Sequence, residues 1–446
     1  MSAHDVVIVG AGSAGCVLAA RLSEDPSLSV LLLEAGAKDR SPNIKIPAAF
    51  PKQFRTKLDW DYSSGPEPHL DGRELYVPRG KSVGGSGSMN AMMWVRGRPV
   101  DFDAWEAQGA DGWGWAQMQG AFERAERDAV GPSDLRSPSP LTQRFVDAAQ
   151  EAGVPHNPNI NAPEQDGVGP TPVSQKNGRR WSTADGYLRP ALDRPNLTIK
   201  TGVTVTGIEI TGGRATGVKL LDRRGRPAVA RATREVVLCA GAIGSPQLLL
   251  LSGVGPAAQL RDHGIAVVHD LPGVGENLQD HPFFTLCWED TAGESLYGAE
   301  DPQALLRWVL KRDGKLSSNV GEAMGFVRTR AGLPAADLQL IFGSAYYHDH
   351  GFDSLDGHAF TIGPVLLTPK ARGHVRLRSA DPAAKPLIVG NHLSEPEDMA
   401  TLVAGFKLAR RIAASPALAK VAGRELVPGP GVDSDEDIEA FVRRET

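Results

Sequence analysis

The sequence has few cysteines, a small net charge and no long apolar run, as is usual for a globular enzyme. It has only three cysteines, which lie far apart and form no disulfide framework or zinc-binding motif. The formal net charge is −5, which gives no general attraction to nucleic acid or anionic lipid. No apolar run approaches the roughly 18 residues that span a bilayer, and the N-terminus has no basic and apolar leader. These absences predict a soluble, cytoplasmic protein with no metal site, no membrane span and no nucleic-acid partner.

Glycine and proline, in contrast, are frequent. The 50 glycines and 33 prolines indicate many tight turns and long ordered loops. With 446 residues, of which 41% are hydrophobic, the chain can build more than one core. The composition therefore favours a two-domain enzyme over a helical bundle.

The N-terminus has the pattern of a nucleotide-binding βαβ unit. A β-rich run, Asp5–Val9, leads into the G-x-G-x-x-G turn Gly10-Ala11-Gly12-Ser13-Ala14-Gly15, which a helical segment and a second apolar strand follow. In such a turn the first glycine allows the bend, the second lets the backbone approach a pyrophosphate, and the third allows close helix packing. Glu34, at the end of the second strand, can accept hydrogen bonds from an adenosine ribose. The motif predicts a bound adenine dinucleotide but does not separate FAD from NAD.

A second strand-turn-helix is predicted to face the same nucleotide. The segments 197–209, 215–222 and 228–239 have strand composition with turn residues between them, which indicates a small antiparallel insertion whose last strand returns to the main sheet. Ala240-Gly241 breaks that strand. Ser245-Pro246 is expected to start the next helix, with Ser245 as the N-cap.

These patterns predict an α/β fold with two domains. Residues 40–115 are rich in Pro, Gly and Trp and show little periodicity, so we expect extended structure that covers the ligand or the sheet. From about residue 283, aromatic-rich strands alternate with helices. We predict a Rossmann-like dinucleotide-binding domain with a parallel sheet over residues 1–282, and an α+β substrate-binding domain over residues 283–446.

Two glycine-rich segments carry more specific information. The first is Gly80-Lys81-Ser82-Val83-Gly84-Gly85-Ser86-Gly87-Ser88-Met89-Asn90, continuing to Trp94-Val95-Arg96-Gly97, and the second is Gly241-Ala242-Ile243-Gly244-Ser245-Pro246-Gln247-Leu248-Leu249, continuing to Ser252-Gly253-Val254-Gly255. They resemble the two signatures of the glucose-methanol-choline (GMC) family of FAD oxidoreductases. The segments 273–282 and 367–382 are also similar to family segments. The resemblance implies that the N-terminal domain binds FAD.

The resemblance also implies which residues hold the cofactor. Main chain near Val83 and at Asn90 to Met93 would contact the flavin, which suits a glycine-rich loop that can pass close to a flat ring. Some family members attach the flavin covalently through a histidine in this loop, and the matching residue here is Met89, so noncovalent FAD is expected. The predicted cofactor-binding residues are Gly10, Gly12, Ser13, Ala14, Gly15, Glu34, Ala35, Val83, Asn90, Ala91, Met92, Met93, Val205, Ala240 and Gly241.

The family resemblance implies the oxidation of a primary alcohol to an aldehyde by hydride transfer to flavin N5, as in choline dehydrogenases and in aryl or aliphatic alcohol dehydrogenases. Oxygen or another acceptor would then take the electrons.

The resemblance places the family's catalytic histidine in a His-Pro-x-Gly-Thr motif that this sequence does not contain. We therefore expect the catalytic histidine pair of the family to lie beyond Thr446, so that the chain ends before the catalytic and FAD-closing segment. On this expectation the catalytic residues are unknown. The alternative to an active enzyme is a truncated or noncatalytic flavin-binding protein.

Other side chains are weaker candidates for the substrate site. His281, His348 and His350 are considered as replacement bases, but the last two are expected to be solvated. Glu322 is expected to face either the substrate or solvent. The aromatic residues Trp288, Phe326, Phe342, Tyr346 and Phe360 suggest an aromatic or aliphatic alcohol, although core packing explains them equally well.

Overall fold

The computed structural model describes residues 3–446, and both helices and strands run through this whole range. The helices are α1 (Ser13–Leu22), α2 (Pro42–Lys45), α3 (Pro99–Ala107), α4 (Trp115–Asp128), α5 (Pro140–Glu151), α6 (Gly241–Leu251), α7 (Ala257–Asp262), α8 (Pro302–Lys311), α9 (Pro396–Ala413), α10 (Pro416–Ala419) and α11 (Asp435–Glu445). The strands are β1 (His4–Val9), β2 (Val30–Glu34), β3 (Tyr62–Pro66), β4 (Glu74–Val77), β5 (Gly167–Pro170), β6 (Gln175–Lys176), β7 (Arg179–Arg180), β8 (Leu197–Thr201), β9 (Thr204–Thr211), β10 (Arg214–Leu221), β11 (Pro227–Leu238), β12 (Val254–Gly255), β13 (His269–Asp270), β14 (Leu286–Asp290), β15 (Gly321–Val327), β16 (Leu338–Gly343), β17 (Ala359–Leu366), β18 (His374–Arg376), β19 (Leu387–Val389) and β20 (Ala422–Val427).

The first large sheet has the order β8-β2-β1-β11-β10-β9. β8, β2, β1 and β11 run parallel, and β11 continues into an antiparallel pairing with β10, which pairs with β9. Every residue of β2 is buried, as is usual for a strand inside a parallel sheet with both faces covered. The predicted βαβ unit and the antiparallel insertion that returns to it are both confirmed.

The second large sheet is antiparallel and has the order β20-β14-β17-β16-β15-β5. Its core packs against α5, α9 and α11, where Phe145 stacks on Phe342 of β16 and where Phe406 and Phe441 pack against Phe284, just before β14. The start of α5 is fixed by Ser139, whose Oγ accepts a hydrogen bond from Leu141 N at 3.2 Å. The structure therefore has the predicted α/β class, with a parallel sheet and a second α+β region.

Two predicted boundaries were wrong. The predicted strand 197–209 is two strands, because Gly202 has a φ of +71° and turns the chain between β8 and β9. The helix expected to start at Ser245-Pro246 starts at Gly241, and Pro246 lies inside α6. Ala240 is the N-cap, and Ser245 makes no N-cap contact. Proline removes one helical donor, so the Ala242 carbonyl loses its usual partner while the helix continues.

The segment 40–115 is mostly irregular and contains the short elements α2, α3, β3 and β4. The division at residue 282 stays a prediction, and β5, which comes earlier in the chain, pairs with β15 in the second sheet. Within residues 3–446, no helix combines the length and the apolar character needed to cross a membrane.

Candidate functional site

A cavity of about 620 Å³ opens where the parallel strands of the first sheet end. It is lined by the residues that end β1, β2 and β11 and by residues 203–205, which follow β8 and begin β9. Because these strands are parallel, their carboxyl ends meet at one edge, where open α/β sheets bind ligands. Nine predicted residues line the cavity: Gly10, Gly12, Ser13, Ala14, Glu34, Ala35, Val205, Ala240 and Gly241.

The three glycines of the first turn differ in the space around them. A Cβ on Gly10 would lie 2.4 Å from the Cys239 carbonyl oxygen, and a Cβ on Gly15 would lie 1.9 Å from the Gly10 oxygen. A Cβ on Gly12 would have no atom of the chain closer than 3.9 Å and would project into the open site. Gly10 and Gly15 thus allow chain packing, whereas Gly12 leaves room for a ligand. Gly15 packs beneath the turn and does not line the cavity.

Glu34 is held in place by the two turns that it joins. Its Oε2 accepts a hydrogen bond from Ala11 N, and its Oε1 accepts one from Gly36 N, both at 2.8 Å. The side chain is 6% exposed, and burial raises the pKa of this carboxyl above its ordinary value. Each oxygen retains a second lone pair that a ribose hydroxyl can use.

Several residues of the cavity wall were missed by sequence reasoning. They include the stacked pair Trp60 and Tyr62, the cations Arg79 and Lys81, and the 382–385 segment. Lys81 Nζ lies 4.3 Å from the centre of the Trp60 ring, a cation–π contact. The alternation of basic residues and glycine from Arg79 to Lys81 is a local signal that could have found the two cations. The contribution of residues 382–385 depends on distant chain packing and has no such signal.

The glycine-rich loop 80–90 lies directly against the first turn. Gly84 N donates to the Ala11 oxygen at 2.7 Å, and a Cβ on Gly85 would lie 2.7 Å from Gly12 Cα. Val83 is buried, its N–H donates to Ala37 O, and its carbonyl accepts a hydrogen bond from Ser88 Oγ. Val83 therefore lies outside the cavity lining, with both backbone groups already bonded within the chain.

The four residues Asn90 to Met93, which we call the 90–93 strip, continue from this loop and lie outside the cavity lining. Three consecutive carbonyls of the strip are bonded to other segments of the chain: Asn90 O accepts from Arg180 Nη2 (2.6 Å), Ala91 O from Asn319 Nδ2 (2.9 Å), and Met92 O from Ser174 N (2.8 Å). Together these three hydrogen bonds fix the direction in which the strip presents its backbone.

Two donors of the 90–93 strip are unpaired. Within the described residues, the backbone N–H groups of Ala91 and Met93 make no hydrogen bond to the chain. Met92 has a φ of +58°, an uncommon conformation for a side chain of its size, and it is fully buried. Such local strain persists only where the surrounding contacts impose it. The strip is therefore rigidly held and still has N–H groups available to a ligand.

The weaker candidates lie elsewhere. Glu322 is 0% exposed, and its carboxylate accepts hydrogen bonds from Ser139 N, Ser318 Oγ, Thr142 Oγ1 and Ser344 Oγ at 2.5 to 3.0 Å, so it faces neither substrate nor solvent. Trp288, Phe326, Phe342 and Phe360 are buried in the hydrophobic core, so core packing explains these four, whereas Tyr346 is half-buried.

The candidate histidines do not line the cavity. His281 is exposed. We expected His348 and His350 to be solvated, but both are half-buried. His348 packs into a polar cluster and His350 packs into an aromatic cluster. His348 Nδ1 lies 3.2 Å from Thr285 Oγ1, and burial lowers the pKa of His350. The catalytic base stays unassigned.

The residues that are present fit an adenine dinucleotide such as FAD. Within the cavity, the open side of Gly12 and the buried Glu34 carboxylate offer places for a pyrophosphate and a ribose. The start of α1 borders the same space, where the helix dipole favours negative charge. Among the described residues, no cluster of His, Cys, Asp and Glu could hold a metal ion.

Comparisons with known proteins show which family this chain resembles. Residues 4–283 match the N-terminal profile of the family described as GMC oxidoreductase, and residues 369–446 match the C-terminal profile. An uncharacterized GMC-type oxidoreductase of Mycobacterium tuberculosis is 45% identical over 97% of this chain and 85% of its own length. An alcohol dehydrogenase (acceptor) of Pseudomonas putida is 42% identical over 99% of this chain and 83% of its own length.

One expectation from the sequence is corrected by these matches. We expected the C-terminal segment of the family to be missing. The C-terminal domain of the family is in fact present, and its match runs from residue 369 to Thr446. In the structure Thr446 follows α11, where its N–H donates to Val442 O at 2.9 Å and its carbonyl accepts a hydrogen bond from Arg73 Nη2. The segment up to Thr446 is therefore packed into the fold.

A solved structure is similar over the same range. A formate oxidase variant of Aspergillus oryzae, studied for its effect on FAD modification, has a TM-score of 0.91 at 25% identity, covering 100% of this chain and 87% of its own. The two profile matches and these relatives show that the chain belongs to the GMC oxidoreductase family.

Proposed function

We propose that this protein is an FAD-dependent oxidoreductase that oxidises a primary alcohol to the aldehyde and holds its FAD noncovalently. The observation that carries the proposal is the cavity between two strand-turn-helix units at the carboxyl edge of the parallel sheet. The similar alcohol dehydrogenase of Pseudomonas putida supports the reaction class, and the formate oxidase studied for FAD modification supports the cofactor.

In this proposal each part of the cavity has its own task. The N–H groups at the start of α1 and the open space beside Gly12 hold the pyrophosphate. Glu34 accepts hydrogen bonds from the ribose and disfavours a 2′-phosphate at that position. Val205, Ala240 and Gly241 surround the adenine. The 90–93 strip then lies beside the ring, and its free N–H groups bind the polar edge.

When bound, FAD supplies the redox chemistry, accepting a hydride at N5 from the α-carbon of the alcohol. The chain's own residues orient the ring and exclude water from it. Met89 occupies the position at which some relatives carry an attaching histidine, and it is buried against the loop. A thioether offers no protonatable ring nitrogen for such a linkage, which supports noncovalent binding. Oxygen or another acceptor is proposed to take up the electrons.

The proposal is tested by loading the purified chain with FAD and adding primary alcohols under anaerobic conditions. We expect a flavin absorbance spectrum, release of all flavin on acid precipitation, and bleaching of the spectrum by at least one alcohol of a choline, aryl and aliphatic panel. Oxygen consumption compared with dye reduction then identifies the acceptor. Flavin that remains in the acid precipitate would refute noncovalent binding.

A noncatalytic flavin-binding protein is the second candidate. One observation favours it, namely that none of the histidines in the described part of the chain lines the cavity. It predicts bound FAD that a chemical reductant bleaches and that no alcohol bleaches. Failure to bind FAD at all would contradict both candidates.

A further inference from the structure

Arg180, in the short strand β7, is a cation that lies behind the 90–93 strip. Its side chain is 1% exposed. The guanidinium donates four hydrogen bonds: Nε to Ile44 O (2.9 Å), Nη1 to Gly87 O (3.2 Å) and to Asn90 Oδ1 (2.7 Å), and Nη2 to Asn90 O (2.6 Å). One planar group thus connects α2, the glycine-rich loop and the strip.

Among the described residues, no carboxylate forms an ion pair with Arg180, although the negative charge of Asp185 raises the pKa of Arg180 from a distance. Burial lowers the pKa of this guanidinium to about 9, so it remains protonated near neutral pH. Placing an ion inside a protein carries a large desolvation cost, and attraction to a partner charge normally offsets this cost. A buried cation bonded only to neutral oxygens is therefore unfavourable for stability, which indicates a role beyond packing.

The contact with Asn90 also fixes the orientation of its side-chain amide. Asn90 Oδ1 receives hydrogen bonds from Arg180 Nη1 and from Met92 N at 3.1 Å. Both partners can only donate, so the atom that faces them must be the amide oxygen. The amide nitrogen consequently points away from Arg180, and the Asn90 residue is exposed. A free –NH₂ group is thus presented on the outer side of the strip.

We infer that Arg180 is a positioning residue for the flavin: it holds the Asn90 carbonyl away from the ring, presents the Asn90 amide nitrogen to the ring, and places a fixed positive charge behind the 90–93 strip. This inference rests on the proposed function, in which FAD occupies the cavity and its ring lies beside the 90–93 strip. A positive charge in a region of low dielectric stabilises the more negative, reduced flavin over the oxidised one. Arg180 therefore raises both the affinity for FAD and the reduction potential of bound FAD.

The experiment compares Arg180→Met, Arg180→Lys, Asn90→Ala and the double variant Arg180→Met/Asn90→Ala with the wild-type chain. Arg179→Met is the matched control, because Arg179 is the exposed neighbour of Arg180 on the same strand. Two quantities are measured: the dissociation constant for FAD by fluorescence titration, and the midpoint potential of bound FAD with a chemical reductant and a reference dye. Neither measurement uses alcohol turnover.

We expect Arg180→Met to weaken FAD binding about tenfold. It should also lower the preference of the site for reduced over oxidised flavin about tenfold, which lowers the midpoint potential by about 30 mV for a two-electron couple. Arg180→Lys keeps the positive charge but not the planar guanidinium. It should therefore keep most of the wild-type midpoint potential of bound FAD while binding FAD more weakly. Arg180→Met should add little to the affinity loss of Asn90→Ala, since Arg180 acts partly through Asn90. Arg179→Met should match the wild type.

A purely structural Arg180 would lower thermal stability but leave the potential equal to that of the control, and this result would overturn the inference. If Arg180→Met does not fold, Arg180→Lys and Asn90→Ala still decide, because wild-type affinity in both would also refute it. A wild-type chain that binds FAD but is not bleached by any alcohol would refute alcohol oxidation and leave the role of Arg180 intact.

Discussion

Gly12 is a residue at which an added methyl group has room in the protein but not beside a bound cofactor. Its φ of −71° is allowed for alanine, and a Cβ there would lie 3.9 Å or more from the rest of the chain. Gly12→Ala should therefore leave the free energy of unfolding of the apoprotein unchanged or raise it by up to about 1 kcal/mol. It should weaken FAD binding by at least about tenfold, or ~1.4 kcal/mol.

The measurements are urea unfolding of the apoprotein and fluorescence titration with FAD. Gly273→Ala is the matched control, because an added Cβ on Gly273 likewise meets no close contact, with no atom within 4 Å, and Gly273 lies outside the cavity lining. The control should match the wild type in both measurements. Equal FAD affinity in Gly12→Ala and Gly273→Ala would show that no ligand occupies the space beside Gly12.

These residues also show what a sequence can reveal about a site. Gly10, Gly12 and Glu34 could be predicted because their tasks depend on the local strand-turn-helix geometry. Arg180 could not, because arginine is usually exposed and its neighbours here come from segments that are far apart in the chain. Glu322 was misplaced for the same reason, since its four donors are contributed by three different segments.

At the level of elements, Asp5 connects the starts of β1 and β2 and also contacts β11. Its carboxylate accepts hydrogen bonds from Ser29 N (2.9 Å), Ser29 Oγ (2.8 Å) and Thr233 Oγ1 (3.0 Å), so the three strands are tied together. These bonds lower the pKa of Asp5 from 3.8 to about 2. Because the folded pKa is depressed, the stabilisation is present above pH ~4 and is lost as the pH falls through about 2.

Asp5→Asn should therefore be less stable than the wild type at neutral pH, and the difference should shrink as the pH falls from about 4 towards 2. Urea unfolding at a series of pH values measures it. Asp262→Asn, at an exposed position of α7, serves as the control. A difference between Asp5→Asn and the wild type that is constant over this pH range would contradict the assignment.

The errors in element boundaries have a physical cause of the same kind. The run after residue 197 has uniform strand composition, and only the positive φ of Gly202 divides it into β8 and β9, which lie at opposite edges of the first sheet. In the sequence, Pro246 indicates the start of a helix, because proline is favoured in the first turn of a helix. In the structure the helix begins earlier, at Gly241, where the chain turns away from β11 at the rim of the cavity.

At the scale of the whole molecule, the two large sheets are joined by several connections. β5 belongs to the second sheet although it precedes most of the first in sequence, and Asn319 Nδ2 donates to the Ala91 carbonyl of the 90–93 strip. Arg73 Nη2 donates to the Arg443 carbonyl of α11 at 2.9 Å. We therefore expect the FAD site and the second sheet to unfold in one transition.

Phe441 provides the test, because it lies in the second core and not in the cavity. It is 1% exposed and makes edge contacts with Phe284 and Phe406 at ring-centre distances of 5.7 and 5.6 Å. Phe441→Ala should lower the free energy of unfolding by about 3–5 kcal/mol. Flavin release and far-UV circular dichroism should report the same lowered midpoint on heating. Leu310→Ala, at a side chain that is 71% exposed, should change neither. If Phe441→Ala lowered only the circular dichroism midpoint while FAD was released at the wild-type temperature, the two sheets would be independent folding units.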